Sequence, residues 1–293
     1  MANKARHIYS PLRYPGGKAC IFPFISSLFY ENDLIGINYA EPFAGGCGLA
    51  LRLLQEEYIN TLYINDLDLS IYAFWHEILH NVDEFCRWIE KVDVNVENWL
   101  LYRAMQTDAS KYSLFELAQS TFFLNRTNVS GIIKGGLIGG IDQVGKYKMD
   151  VRFNKIDLIE RIKRVAHFSS RIVLTCQNGE DFIRSIDKRK NKTFIYLDPP
   201  YCQKGANLYM IFFNNDNHIN LAKRVQKLNN LWLVSYDNVE FVKSLYVPSK
   251  KVVYHLSQCA SNSLSAGEVH MTISFWKYLL EVWCGSLWNY HTL

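Results

Sequence analysis

The chain has 293 residues, of which 49% are hydrophobic and 20% are charged. This composition predicts an ordered globular protein with a sizeable core and excludes a disordered chain. No run reaches the roughly 20 apolar residues of a membrane span, and the N-terminal stretch lacks an apolar signal core, so we expect a soluble, cytoplasmic protein. The net charge of +4 permits a nucleic-acid partner but does not require one.

The cysteine pattern argues against a bound metal. The seven cysteines are odd in number and scattered, without the spacing of zinc or redox pairs. His76 and His80 stand at helical spacing, but no carboxylate or cysteine pattern accompanies them. We therefore expect reduced thiols and no metal site.

The first distinctive segment is a basic, glycine-bearing turn, Arg13 to Lys18, which precedes a helical pattern over residues 20–29. By itself this turn is compatible with an ordinary start of a helix. A strand is then predicted over Ile37 to Phe43, and its end overlaps the glycine-rich segment Glu41 to Gly48. Glycines let a ligand approach the backbone, and the following helix start offers free N–H groups, which favours a nucleotide-type cofactor. A plain tight turn is the alternative.

The next predicted strand, Thr61 to Ile64, supports the cofactor hypothesis. It ends in Asn65 and Asp66, roughly 20 residues beyond the glycine turn, where an acidic side chain can accept ribose hydroxyls. No Gly-Lys-Ser/Thr sequence follows the glycines, which excludes a phosphate loop. Together the two segments indicate a cofactor site at the ends of two adjacent strands.

A long span, residues 69–170, separates this strand from the next one, Ile172 to Thr175. A strand-helix-strand unit occupies about 30 residues, so the span must contain an insertion. It begins with helical periodicity and ends in a part rich in Gly, Lys and Arg, residues 131–154, with a strand-like tail. We interpret the insertion as a second, recognition-type domain.

The segment that follows the strand Ile172 to Thr175 contains three residues that allow two interpretations. Asn178 or Asp181 could read the edge of an adenine while the ring of Phe182 packs on it. A helix N-terminal cap explains the same polar residues equally well. The segment alone does not decide between them.

The most informative tetrapeptide is Asp198, Pro199, Pro200 and Tyr201, directly after the apolar strand Thr193 to Leu197. Ligands bind at the carboxyl ends of strands in open α/β sheets. The prolines stiffen the turn and remove two backbone donors, so its carbonyls can face a ligand. Asp198 and a turn carbonyl could accept both N–H groups of a planar amine, while the Tyr201 ring stacks on its face. An ordinary strand-to-loop turn is the alternative.

The remaining pattern completes an α/β fold with a largely parallel sheet. A fifth strand is predicted over Leu231 to Tyr236. After Val252 short alternating segments, including Val269 to Trp276, suit an antiparallel hairpin at one sheet edge.

Taken together, these segments resemble the DNA adenine-N6 methyltransferases of the Dam type, the D12 class, from Tyr14 to about Phe275. The order of glycine motif, recognition insert and catalytic tetrapeptide is the family's own, and the Asn125-Arg126 pair with Gly131, and Glu268, also fall where the family has similar residues. The resemblance implies a Rossmann-like class I methyltransferase sheet with an inserted, mainly helical target-recognition domain. We expect a catalytic domain over 1–75 and 165–280, the insert over 76–164 and a C-terminal extension over 281–293.

The resemblance also implies the activity. It predicts transfer of a methyl group from S-adenosylmethionine to the N6 amino group of a flipped adenine in double-stranded DNA. We expect the enzyme to be a monomer, and a restriction endonuclease is a possible partner. An amino methyltransferase acting on RNA or on a protein amide, and a catalytically silent nucleic-acid-binding relative, are the rival interpretations. After the Asn-Arg pair the family's GATC readers carry an Arg-x-Asn run leading to Gly-x-Phe-Asn, whereas this chain has Gly135, Gly136, Gly139 and Gly140. The recognition sequence is therefore not predicted.

The expected site residues fall into three groups. The catalytic group comprises Asp198, Pro199, Pro200 and Tyr201. The cofactor-binding group comprises Tyr14, Lys18, Glu41, Phe43, Gly45, Gly46, Asp66, Asp181, Phe182 and Asp198. The DNA-binding group comprises Arg126, Lys134, Lys146, Lys148 and Arg152, any one of which could instead be a solvated surface charge.

Overall fold

Ten helices and a seven-stranded sheet make up the part of the chain that the computed structural model describes, residues 8–14, 18–201, 213–237, 239–246, 250–257 and 266–273. The strands are β1 (Ile37–Glu41), β2 (Ile59–Asn65), β3 (Ile172–Thr175), β4 (Thr193–Leu197), β5 (Leu231–Asp237), β6 (Lys250–Ser257) and β7 (Ala266–Ile273). The helices are α1 (Phe22–Glu31), α2 (Gly48–Gln55), α3 (Leu69–His80), α4 (Val82–Lys91), α5 (Val96–Met105), α6 (Leu114–Thr127), α7 (Lys155–His167), α8 (Gly179–Asp187), α9 (Asn215–Val225) and α10 (Glu240–Leu245).

The strand order is β3-β2-β1-β4-β5-β7-β6, with β1 to β5 parallel to one another and β7 antiparallel to both β5 and β6. The five predicted strands and the closing hairpin are thereby confirmed. β1 ends at Glu41, two residues before the predicted end, because the glycine turn begins there. Trp276 and the extension over 281–293 lie outside the described residues.

Alternation along the strands divides the core into two layers, because successive side chains of a strand point to opposite faces. Tyr39, Phe194 and Leu233 belong to one cluster, which also contains the buried residues of α1 to α7. Ala40 and Ile195 belong to the other cluster, which packs against α8, α9 and α10. Both faces of the sheet are covered, as is typical of parallel sheets.

The insert shares its core with the sheet. The expected boundary between residues 75 and 76 falls inside α3, whose Phe74 stacks on Phe122 of α6 at 5.5 Å between ring centroids. Phe85 of α4 packs edge-on against both rings. We keep the name insert for residues 76–164, although its helices pack in the same cluster as those beside the sheet.

The strand-like tail expected within residues 131–154 is not present. This part forms a loop with an isolated bridge between Asn128 and Leu137 and a short 3-10 turn over Met149–Arg152. The side chain of Gln143 organises the loop, since its amide donates to the carbonyl of Ile138 at 2.8 Å and accepts from the backbone of Met149 at 2.9 Å. Bonds of this kind replace the ladder that a strand would need.

The insert is tied to the N-terminal segment by a buried asparagine. The Asn125 amide accepts from the backbone N–H of Arg13 at 2.8 Å and donates to the Arg13 carbonyl at 2.6 Å and the Gly131 carbonyl at 2.9 Å. Gly131 has φ of 76° and packs so tightly that a Cβ would clash with the Arg13 carbonyl oxygen. Among the described residues, no helix combines the length and the apolar character needed to cross a bilayer.

The close approach at Gly131 yields the first prediction. Gly131→Ala should lower the free energy of unfolding by roughly 1–3 kcal/mol, because a side chain is strained at positive φ and would push Arg13 away. Urea unfolding followed by circular dichroism measures the change. Gly136→Ala is the matched control, since a Cβ there meets nothing within 4 Å. Equal stability of the two variants would contradict the clash.

Candidate active site

A cavity of about 400 Å³ opens beside the carboxyl ends of β1, β2 and β4, within the range of roughly 300–1,000 Å³ for small-molecule sites. Nine of the expected site residues line it, namely Tyr14, Lys18, Glu41, Phe43, Gly45, Gly46, Asp66, Asp198 and Pro200. The tertiary structure therefore brings together segments that are up to about 180 residues apart in the chain.

Tyr14 lies directly against the glycine turn. A Cβ on Gly45 would come within 2.6 Å of Tyr14 Cε1, and one on Gly46 within 2.6 Å of Tyr14 Cβ. Glycine is required at both positions for the ring to lie on the turn. The Gly45 carbonyl accepts from the Trp75 indole at 2.9 Å, which fixes the turn to α3.

Asp66 braces the same turn from the end of β2. Its carboxylate accepts from the backbone N–H of Gly45 at 2.9 Å and from that of Asp68 at 3.0 Å. Burial, with the charge of Asp68 adding to it, raises the pKa of Asp66 to about 7. A ligand that donates hydroxyl protons to this carboxylate would favour its charged form.

Glu41, at the end of β1, is the second buried acid of the cavity. It accepts from the Tyr39 hydroxyl at 3.0 Å, and the Cys47 thiol lies 3.6 Å from its other oxygen. Burial raises the pKa of Glu41 to about 8, and the nearby charge of Asp198 adds to the effect. A cationic ligand would again favour the charged form.

Asp198 is held at both of its oxygens. The buried Lys18 ammonium lies 2.6 Å from Oδ2, and the Ser235 hydroxyl donates to Oδ1 at 2.8 Å. The Lys18 ammonium also lies over the Tyr201 ring, 5.0 Å from its centre. Pro200 lines the cavity, whereas Pro199 and Tyr201 do not, so the structure places Tyr201 beside Lys18 and leaves its stacking role a hypothesis.

The charged side chains that line the cavity are predominantly acidic. Glu41, Asp66, Asp68 and Asp198 all contribute to it, and Lys18 is the only lysine or arginine among the described residues that line it. Such an environment favours a ligand that carries positive charge.

Two expected cofactor residues are not in the cavity. Asp181 is exposed and pairs with Arg184 at 2.9 Å, and Phe182 is buried in the second core cluster. The reason is that α8 begins at Gly179. Asp181, two positions later, already faces solvent, and Phe182, three positions later, faces the sheet. Asn178 caps this helix by accepting from the Glu180 N–H at 2.8 Å, and both Asn178 and Gly179 line the cavity.

The expectation that Arg126 contacts DNA is also corrected. Its side chain is buried and donates to the carbonyls of Arg152 at 2.8 Å and Pro11 at 3.3 Å. Burial, together with the charge of Arg161, lowers its pKa to about 9. Arg126 thus stabilises the N-terminal segment through its hydrogen bond to the Pro11 carbonyl. The other four expected DNA-binding residues are exposed, namely Lys134, Lys146, Lys148 and Arg152.

Sequence reasoning missed several residues of the site. Tyr196 and Cys47 line the cavity, and Ser235 bonds to Asp198. Cys47 could have been found, because it lies within the glycine-rich segment Glu41 to Gly48. Tyr196 and Ser235 carry no local signal, since only the pairing of β4 with β5 brings them together.

A parallel sheet with a glycine turn, buried acids and a cofactor-sized cavity at its carboxyl edge is typical of Rossmann-like enzymes that bind a nucleotide-type cofactor. Over residues 14–258 the chain matches the family model described as D12 class N6 adenine-specific DNA methyltransferase. The chain therefore belongs to this family. It is an adenine-specific DNA methyltransferase that uses S-adenosylmethionine. The family match does not favour an RNA or protein-amide methyltransferase or a catalytically silent relative.

Among curated proteins, the chain is similar to the type II methyltransferase M.CviBI of Paramecium bursaria Chlorella virus NC1A, with 21% identity over 71% of this chain and 76% of that one. Among solved structures it is similar to a conserved hypothetical protein of Streptococcus pyogenes, with 12% identity, a TM-score of 0.35, and 88% and 96% of the two chains covered. A second similar structure is SMU.472, solved in complex with SAH, with 8% identity, a TM-score of 0.28, and 93% and 87% covered.

The buried Glu41 yields a prediction about pH. Its pKa is about 8 in the folded protein against a usual 4.5, so the folded protein binds this proton more tightly than the unfolded chain. The contribution of Glu41 to stability is therefore present below about pH 4.5 and lost as pH rises through about 8. Glu41→Gln should remove this loss and be more stable than the wild type at pH 9 by at least about 1 kcal/mol.

Urea unfolding of the ligand-free protein at pH 5, 7 and 9 measures the effect. The advantage of Glu41→Gln should grow with pH, whereas Glu97→Gln, at an exposed position on α5, should follow the wild type. A constant difference between Glu41→Gln and wild type across the series would mean that Glu41 titrates normally.

Proposed function

We propose that the enzyme methylates the N6 amino group of an adenine flipped out of double-stranded DNA, with Asp198 as the residue that contacts the reacting amine. The observation that carries this proposal is the placement of the Asp198 carboxylate, held by Lys18 at 2.6 Å at the edge of the cofactor-sized cavity. The same turn contributes Pro200 to the lining, so the tetrapeptide borders the space where cofactor and base would meet.

The residues of the cavity fit S-adenosylmethionine. Asp66 is placed to accept the ribose hydroxyls, and Glu41 lies where a buried carboxylate can neutralise positive charge of the methionine part. Tyr14 and Phe43 supply apolar surface for a planar base. When bound, the cofactor supplies a methyl group that is already activated on a positively charged sulfur.

The protein's contribution to the reaction is mainly orientation. The amino lone pair of adenine is delocalised into the ring, and hydrogen bonds from its N–H groups to Asp198 and to a carbonyl of the same turn would localise it. Lys18 keeps the carboxylate in place while it accepts. Alignment of reacting groups supplies up to roughly 7–11 kcal/mol of a barrier. No covalent enzyme intermediate is required.

A duplex substrate needs base flipping, because the amino group is paired inside the helix. Flipping costs a few kcal/mol, which stacking in a pocket partly offsets. The exposed Lys134, Lys146, Lys148 and Arg152 of the insert are our candidates for phosphate contacts. The name of the relative M.CviBI, a type II methyltransferase, supports a place in a restriction-modification system, and we propose a companion endonuclease on that ground.

Asp198→Ala should reduce methyl transfer by about 10²–10³-fold, because removal of one preorganised hydrogen-bonding group at a reacting centre has effects of this size. Non-specific DNA affinity should change little, since it depends on phosphate contacts elsewhere. Single-turnover transfer of labelled methyl groups to DNA measures the rate. Asp83→Ala, at an exposed position on α4, is the control. A folded Asp198→Ala protein that keeps more than about a tenth of the wild-type rate would contradict the role of Asp198 in methyl transfer.

The double substitution of Lys146 and Arg152 by Ala should lower DNA affinity and flatten the slope of log K against log salt by about 0.9 for each lost phosphate contact. The matched control replaces Lys188 and Lys190, which are exposed between α8 and β4 at the amino ends of the strands. Binding titrations over a salt series distinguish the two pairs. Identical slopes for both double variants would place the DNA elsewhere.

A further inference from the structure

We propose that Tyr196 and Ser235 form a directed hydrogen-bond chain that positions the Asp198 carboxylate for methyl transfer. The inference rests on the proposed role of Asp198. Ser235 is not among the residues that line the cavity, and Tyr196, which does line it, reaches Asp198 through Ser235. Both are therefore proposed as positioning residues.

The sheet register creates the chain. β4 pairs with β5 so that Tyr196 lies beside Leu233 and Leu197 beside Val234. One residue further along, Asp198 falls beside Ser235. Tyr196 and Asp198 lie on the same face of the sheet because they are two residues apart in one strand direction. Ser235 lies on that face too, because it is beside Asp198 on the neighbouring strand.

The direction of the chain follows from counting protons. The Ser235 hydroxyl lies 2.8 Å from Asp198 Oδ1 and 2.8 Å from the Tyr196 hydroxyl. A serine hydroxyl has one proton, and the carboxylate can only accept, so Ser235 donates to Asp198. Tyr196 must then donate to Ser235. Burial, with the charge of Asp198 adding to it, raises the pKa of Tyr196 well above its usual value, so its hydroxyl keeps the proton.

Both donors of the chain are shielded from water. Ser235 has no exposed surface, and Tyr196 is 2% exposed. A buried hydrogen bond to a charged acceptor is stronger than an exposed one, and water cannot replace it. The contacts are therefore fixed features of the folded protein.

The consequence is a carboxylate held at both ends. Lys18 holds Oδ2 and Ser235 holds Oδ1, which prevents rotation of the group about its Cβ–Cγ bond. The Tyr201 hydroxyl also hydrogen-bonds to this carboxylate. A carboxylate offers about four acceptor positions, so about one remains for a substrate amine. Without Ser235 the carboxylate would lose its donor at Oδ1, and its orientation would depend on Lys18 and Tyr201. The chain therefore contributes to the chemical step and not to binding.

The test compares Ser235→Ala, Ser235→Cys, Tyr196→Phe and the Ser235→Ala/Tyr196→Phe double variant. The single-turnover rate should fall about ten- to hundredfold in Ser235→Ala, as expected for a lost hydrogen bond to a charged group. Tyr196→Phe should lose about three- to tenfold, since a hydrogen bond between neutral groups contributes less. The double variant should match Ser235→Ala alone, because Tyr196 acts only through Ser235.

Two comparisons separate positioning from packing. Ser235→Cys keeps a side chain of the same shape, with a somewhat larger sulfur atom, but donates weakly, so it should be as slow as Ser235→Ala. Tyr236→Phe removes a buried hydroxyl from the opposite face of β5, where it lies 3.0 Å from His218 Nδ1, and should keep the wild-type rate. The dissociation constants for DNA and S-adenosylmethionine should stay within about twofold of wild type in all folded variants.

Each outcome bears on a different claim. If Asp198→Ala is inactive while Ser235→Ala and Tyr196→Phe both keep the wild-type rate, the chain has no role and the proposed function stands. Recovery of the rate in Ser235→Cys, or additive losses in the double variant, would also overturn the inference. If Asp198→Ala itself remains active, the proposed function fails. Should Ser235→Ala not fold, Tyr196→Phe and Ser235→Cys decide the question.

Discussion

The ion pair between the buried Lys18 and the partly exposed Asp198 is the contact on which the site depends. A charge removed from water must be paired, and loss of one partner typically costs about 3–5 kcal/mol. This pair joins the segment before α1 to the end of β4, at 2.6 Å. Tyr14, four residues before Lys18 in the chain, lies on the glycine turn. The Asn125 clamp on Arg13 then links the same segment to the insert.

The buried acids of the cavity lower the stability of the folded protein when they are charged, yet they suit the binding of a ligand. Burial raises the pKa of Glu41 to about 8 and that of Asp66 to about 7, so neither charge is well compensated within the described protein. Residues that violate local rules of stability commonly belong to functional sites. A cofactor that carries positive charge and hydroxyl donors would supply what both carboxylates lack. Its product, without the sulfonium charge, would be held less strongly by the same acids.

The insert combines a shared core with an adaptable surface. Its aromatic helices are packed into the cluster that also covers the sheet, which holds its position relative to the cavity. The loop after Gly131 is organised by side-chain amides such as that of Gln143 and exposes Lys146 and Arg152. Loops held on a rigid scaffold are where binding residues commonly occur. This arrangement separates the loop for which we propose DNA contacts from the helices that maintain the fold.

The sequence by itself determined the strands, the glycine turn, the acid at Asp66 and the Asp198 tetrapeptide, because periodicity and turn chemistry are local properties. It did not determine that Arg126 is buried or that Asp181 faces solvent, since these depend on how helices meet their neighbours. The chain from Tyr196 through Ser235 to Asp198 was likewise beyond it. Those residues come together only because β4 and β5 pair in one register, and register is a property of the assembled sheet.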